Sequence, residues 1–101
     1  MNNIKQQIDQ DYITVYKAHD DLRVSVLRMV KSSIKNAEIA QKGELNDSEV
    51  VSVLKKEIKQ RKDSILAYKD AGREEAAAKE EQEMEIISMY LPSQMSEAEL
   101  K

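Results

Sequence analysis

Five charged residues fall where aliphatic ones are expected. With the chain turned as helices at about 100° per residue, Arg61 lies in an apolar stripe between Ile58 and Ile65. Glu80 and Glu83 lie on the apolar side of the next segment, one turn above Met84 and Ile87. Asp11 lies between Ile8 and Val15, and Arg23 one turn before Leu27. A lone buried charge is very costly, so charges that enter a core arrive paired. The pattern predicts an inter-helix network centred on Arg61, with Asp11, Glu80 or Glu83 as acceptors. Such a network either fixes the register between helices or lines a polar pocket for a ligand or an acid–base carboxylate. A third outcome is that bundle edges leave these groups wet. Arg23, near a helix start, is the member best able to snorkel into solvent.

A second set of residues suits phosphate. Lys55, Lys59 and Lys62 lie mainly off the apolar stripe of one segment, and Arg28, Lys31 and Lys35 share the outward face of another. Together they form a candidate nucleic-acid-binding surface. Glu38, Glu57, Asp63 and Asp70 interrupt it, and the net charge is −3. From Lys55 to Arg73 there are seven Lys/Arg against three Asp/Glu, whereas from Glu74 to Lys101 eight acidic residues face two basic ones. That asymmetry suits charge pairing between two helices as well as it suits RNA or an acidic partner. Tyr12, Tyr68 and Tyr90 read as core residues. Tyr16 is off its stripe and is free to pack elsewhere or to stack on a base.

Other chemistry has little to draw on. Glu80, Glu81, Glu83 and Glu85 cluster in sequence, but a carboxylate di-metal site adds Glu-x-x-His pairs. The one histidine, His19, sits in an inter-helix turn, where helix capping or exposure is its expected role. With no cysteine there is no thiolate ligand, nucleophile or disulfide. Lys42-Gly43-Glu44 breaks a helix and does not cradle a phosphate. The expectation is therefore no catalytic residue, no metal and no cofactor.

Four helices must position these groups, over about 3–17, 20–41, 47–72 and 73–91, all following the 3.6-residue period. Asp20 or Asp21 caps the second helix and Gly43 offers the left-handed residue past its end. Asn46 with Glu49 forms a capping box for the third, and Gly72 closes it. The apolar stripes are Ile4, Ile8, Tyr12 and Val15; Val26, Leu27, Val30, Ile34 and Ala37; Val50, Val51, Leu54, Ile58, Ile65 and Tyr68; and Ala76, Met84, Ile87, Tyr90 and Leu91. Two Gly, one Pro and no Phe or Trp leave an aliphatic, helix-favouring composition. Short links predict an all-α fold, a compact bundle of about four helices with antiparallel neighbours.

Residues 1–91 thus read as an N-terminal helical domain. Pro92 ends the pattern, and Ser96 with Glu99 reads as a new capping box. Residues 92–101 read as a linker and the first turn of a C-terminal domain that the chain does not contain. No apolar run approaches the roughly 18 residues of a membrane span, and the first residues lack a signal peptide's apolar stretch. A cytoplasmic protein is expected, of unassigned oligomeric state.

Four segments carry a family resemblance. They are Leu27–Glu38; Leu54–Ile65, with its Lys-Gln-Arg-x-x-Ser run; Ala71-Gly72-Arg73; and Tyr90-Leu91-Pro92-Ser93-Gln94-Met95-Ser96. In this order they resemble YqeY-like proteins of the GatB/YqeY family, across essentially the whole chain. The resemblance implies an all-helical N-terminal domain followed by a smaller helical one, joined at Leu-Pro-Ser-Gln-Met-Ser. It also implies a relation to the C-terminal tail of the B subunit of the tRNA-dependent amidotransferase, a carbon–nitrogen ligase with glutamine as amido-N-donor. That tail is thought to handle tRNA, while the chemistry lies in larger domains. This chain carries neither their phosphate cradle nor their metal constellation, and fold similarity alone does not carry chemistry. The leading expectation is a tRNA-associated module that binds without catalysing. The alternatives are a ligase activity or accessory role in tRNA-dependent amidation, and a protein-interaction bundle; the expected partner is tRNA or a tRNA-processing protein.

Overall fold

The computed structural model describes residues 3–91. They form four helices: α1 (Ile4–Lys17), α2 (Asp21–Gln41), α3 (Asp47–Asp70) and α4 (Glu74–Ser88). Among the described residues there is no strand, and no helix is long and apolar enough to cross a membrane. The expected linker and second domain start, 92–101, lie outside the described residues.

Local chemistry accounts for the helix starts. Asn46 accepts the Glu49 backbone N–H at 2.9 Å while the Glu49 carboxylate accepts the Asn46 N–H at 2.9 Å, so the box expected there is closed. The sequence reading missed an equivalent box at Asn3 and Gln6. Asp20 caps α2 by accepting the Arg23 N–H at 3.2 Å. The cap of α4, Arg73, makes no side-chain bond, and Glu74 and Glu75 instead place negative charge on the first turn.

The ends of α1, α2 and α3 share one device, a left-handed residue whose neighbours' N–H groups return to the last carbonyls. After α1, His19 (φ 59°) holds that position, with the Asp20 N–H bonded to Val15 O at 3.0 Å. After α3 it is Gly72 (φ 75°), as expected. After α2 it is Lys42 (φ 64°) and not Gly43. Here the Gly43 N–H closes onto Glu38 O at 3.1 Å, so the turn begins one residue earlier than the glycine suggested.

The links fold the chain into two helical hairpins, α1–α2 and α3–α4, with α2 packed on both α3 and α4. Their stripes merge into one aliphatic core made of Ile8, Val26, Leu27, Val30, Ile34, Leu45, Val50, Leu54, Ile58, Ile86 and Ile87. Burying one such side chain stabilises the fold by about 1.5–3 kcal/mol. Ile86 and Ala77 are buried where the sequence pointed to Met84 and Ala76, which are only half-buried. Leu45, in the α2–α3 link, is also buried although no helical period marks it.

At one end the elements are tied by polar bonds. The first N–H of α1, Ile4, donates to Asp47 of α3 at 3.0 Å. Glu38 accepts both the Lys5 ammonium and the Leu45 backbone N–H. Hydrogen bonding from Lys5, helped by Leu45, holds the Glu38 carboxyl below its ordinary range, and the same bond raises Lys5.

Candidate nucleic-acid interface

On α1, Tyr12 and Tyr16 are four residues apart and so share a face. Their rings lie 6.0 Å apart, tilted by 42°. Across the hairpin, the Arg28 guanidinium donates to the Tyr12 hydroxyl at 3.2 Å. The Lys31 ammonium sits 4.6 Å from the Tyr12 ring centroid and 3.3 Å from Asp9. Two cations thus converge on one aromatic ring, and a second ring, Tyr16, stands beside it 59% exposed. Next to it a cleft of about 380 Å³ is lined by Tyr16, His19, Asp21, Val24, Ser25 and Arg28. A smaller cleft of about 220 Å³ lies further along the hairpin, where Lys35 joins Lys31, Lys5 and Glu38.

The other candidate cations do not join this surface. Lys55, Lys59 and Lys62 are exposed on α3, and Lys59 lies 3.8 Å from Asp63 on its own helix. The flank of α3 that meets α2 carries Glu57, which accepts from Ser33 at 2.8 Å. Helical geometry sets the three lysines roughly 140–160° around from it. On α2, Ser33 faces α3 while Arg28 and Lys31 reach across to α1. The six residues expected on one surface therefore divide into two, because α2 shows opposite flanks to its neighbours.

The charged residues on apolar faces divide as well. Arg61 donates to the Glu57 carboxylate at 2.9 Å and to the Glu57 carbonyl at 3.2 Å. Its Nε lies 3.5 Å from Glu83 but is buried without a hydrogen bond. A further guanidinium nitrogen meets the Met29 sulfur at 3.5 Å. Burial, reinforced by neighbouring Glu80 and opposed by Arg61, pushes the Glu83 carboxyl up. Glu57, read from sequence only as an interruption of the basic face, is the close partner of Arg61. Its i,i+4 spacing from Arg61 was the available signal.

Asp11 and Arg23 are elsewhere. Asp11 accepts from the Tyr90 hydroxyl at 2.6 Å and from Gln7 at 2.9 Å. Arg23 is exposed and pairs with Asp20 at 3.3 Å. Both line a cleft of about 450 Å³ between α1, α2 and the end of α4, floored by Leu27 and Ile86. Burial first, and the Asp11 carboxylate second, push the Tyr90 phenol well above its ordinary range. None of these charged groups is fully buried; each keeps an edge in water, as a small bundle allows. Among the described residues no group of three or more His, Asp or Glu is placed to hold a metal ion.

Comparison with known proteins adds a family and relatives. A family model described as Yqey-like protein matches residues 5–101. The chain is 43% identical over 77 residues to "Altered inheritance of mitochondria protein 41, mitochondrial" of Vanderwaltozyma polyspora, covering 75% of this chain and 42% of that protein. The protein of the same name from Saccharomyces cerevisiae is 40% identical over 75 residues, 73% of this chain and 40% of its own length. That from Lachancea thermotolerans is 39% identical over 90 residues, 88% of this chain and 46% of its own. The chain spans less than half the length of these curated relatives. Their names overturn the cytoplasmic location expected from the sequence. The expectation rested on the lack of a membrane-length apolar run and of a signal peptide's apolar stretch, and neither feature separates the cytosol from a mitochondrial compartment.

Proposed function

The chain belongs to the Yqey-like protein family, and from that premise we propose that it works as a tRNA-associated helical module that binds and does not itself catalyse. The observation that supports this reading is the α1–α2 flank, where Arg28 and Lys31 converge on Tyr12 beside an exposed Tyr16. Cations interleaved with aromatic rings complement what RNA offers, a phosphate backbone and the flat faces of unpaired bases. On this reading, carbon–nitrogen ligation with glutamine as amido donor belongs to a partner enzyme, and the module serves it by holding tRNA.

The test is tRNA binding by the chain at low and at physiological salt. Binding is expected to weaken steeply with salt, by about 0.7–0.9 in log K per phosphate contact for each tenfold rise. Arg28→Glu with Lys31→Glu removes it, while Lys55→Glu with Lys59→Glu leaves most of it. Binding that ignores salt, or that survives the α2 reversal, sinks the reading.

A further inference from the structure

We infer that the cleft at the α1–α2 turn takes a single unpaired nucleotide, its base against Tyr16 and its phosphate on Arg28, so that the module engages single-stranded RNA in preference to duplex. The inference rests on the tRNA reading above and narrows it to the unpaired ends and loops of such a molecule.

Lys31 covers the ring of Tyr12, whereas the ring of Tyr16 beside it is more than half exposed and forms one wall of the cleft. An exposed aromatic face next to a cation is the element on which unpaired bases stack. The volume, about 380 Å³, is at the small end of ligand pockets and suits one nucleotide, not a helical face. Arg28 has one guanidinium nitrogen anchored on the Tyr12 hydroxyl. Its remaining N–H groups stay available to a phosphate, in the planar fork that suits that group.

Asp21 and Ser25 add further polar groups to the cleft, whose lining His19 and Val24 complete. Asp21 and Ser25 are four residues apart and so lie one above the other on α2. The carboxylate only accepts and the hydroxyl both donates and accepts, a set that fits a base amino edge or a ribose 2′-hydroxyl. The negative charge of Asp21 also repels a second phosphate. The cleft is therefore built for one base and one phosphate, not for a continuous backbone track.

The experiment uses a short single-stranded RNA carrying 2-aminopurine, the same sequence as a duplex, and tRNA. The single strand is expected to bind at least about tenfold more tightly than the duplex, with its fluorescence quenched by stacking. Tyr16→Ala is expected to abolish the quench and weaken binding about tenfold or more, while Tyr16→Phe keeps both. Because Tyr16 is exposed, neither change threatens the core. Equal binding of duplex and single strand, or an unchanged Tyr16→Ala protein, overturns the inference. Salt-sensitive tRNA binding that is indifferent to Tyr16→Ala refutes the cleft and leaves the tRNA reading standing. Quenched oligonucleotide binding without tRNA binding does the reverse.

Discussion

The two halves of the α3–α4 hairpin are built differently. In the half that packs with α1 and α2, α3 contributes Val50, Leu54 and Ile58 and α4 contributes Ile86 and Ile87, all to one shared core. In the other half, Ile65 and Ala77 are the buried residues, and neither joins that core. Leu66, one residue past Ile65, is 65% exposed. Between the halves lies the charged layer of Arg61, Glu57 and Glu83. Side-chain bonds join α2 to α3 at Glu57 and Arg61, where the aliphatic core gives way to charge, and again at Glu49 in the first turn of α3, which accepts from Gln41. The difference teaches why a charged layer is tolerated inside a bundle. Where four helices meet, every stripe is covered; where two helices have only each other, a polar group can keep an edge in water.

The largest expected effect tests that contrast directly. Leu54→Ala, at a fully covered position, should cost about 4 kcal/mol in chemical denaturation, whereas Ile65→Ala should cost about 2 kcal/mol because its surroundings can collapse or hydrate. Equal losses would erase the distinction between the halves.

Next comes the layer between them. Arg61→Met should destabilise by about 3 kcal/mol, because it leaves the largely covered Glu57 and Glu83 carboxylates without their cation. Adding Glu57→Gln and Glu83→Gln should restore most of the loss. A single Arg61→Met protein of unchanged stability would mean that charge does not hold the layer.

The turns of the two regions offer a smaller test. Lys42 and Gly72 both adopt left-handed backbone, and a Cβ at Gly72 meets no atom within 4 Å. The cost at either position is then conformational alone. Lys42→Gly should gain, and Gly72→Ala should lose, about 1 kcal/mol, read as opposite shifts in melting temperature. Shifts of the same sign would show that packing, not backbone preference, rules one turn.

The smallest effect is in pH dependence, and the two regions should differ in sign. The lowered Glu38 carboxyl contributes stability that is present above its ordinary value of 4.5 and lost as pH falls through its native value. The raised Glu83 carboxyl binds its proton more tightly in the native state. Its contribution is greatest below 4.5 and is lost as pH rises through its native value. On acidification across roughly pH 6 to 3, Glu38→Gln should therefore lose less stability than the parent chain, and Glu83→Gln more. Parallel curves would remove the electrostatic half of the contrast.

Much of this was legible along the chain, for reasons that differ residue by residue. Val26, Leu27, Val30 and Ile34 repeat at the helical period, so their burial follows from local geometry. Asn46 and Glu49 close their box with side chains three residues apart, which needs nothing distant. Arg61 in an apolar stripe announced a charge in need of a partner. Its partner Glu57 was in plain view four residues away, but had been assigned to a surface. The left-handed turn at Lys42 was missed because which carbonyls the chain folds back onto, not glycine's freedom, sets its position.

The helical class, the four elements, the aliphatic stripes and the family resemblance were all present in the order of residues, because helix period, capping and turn preference act over three or four positions. Which flank of α2 met which helix was decided only in three dimensions. So were the transfer of Asp11 from Arg61 to Tyr90, 79 residues along the chain, and the division of the six cations into two surfaces. Those outcomes depend on how two hairpins dock, and docking is set by the fit of whole faces that no local pattern encodes.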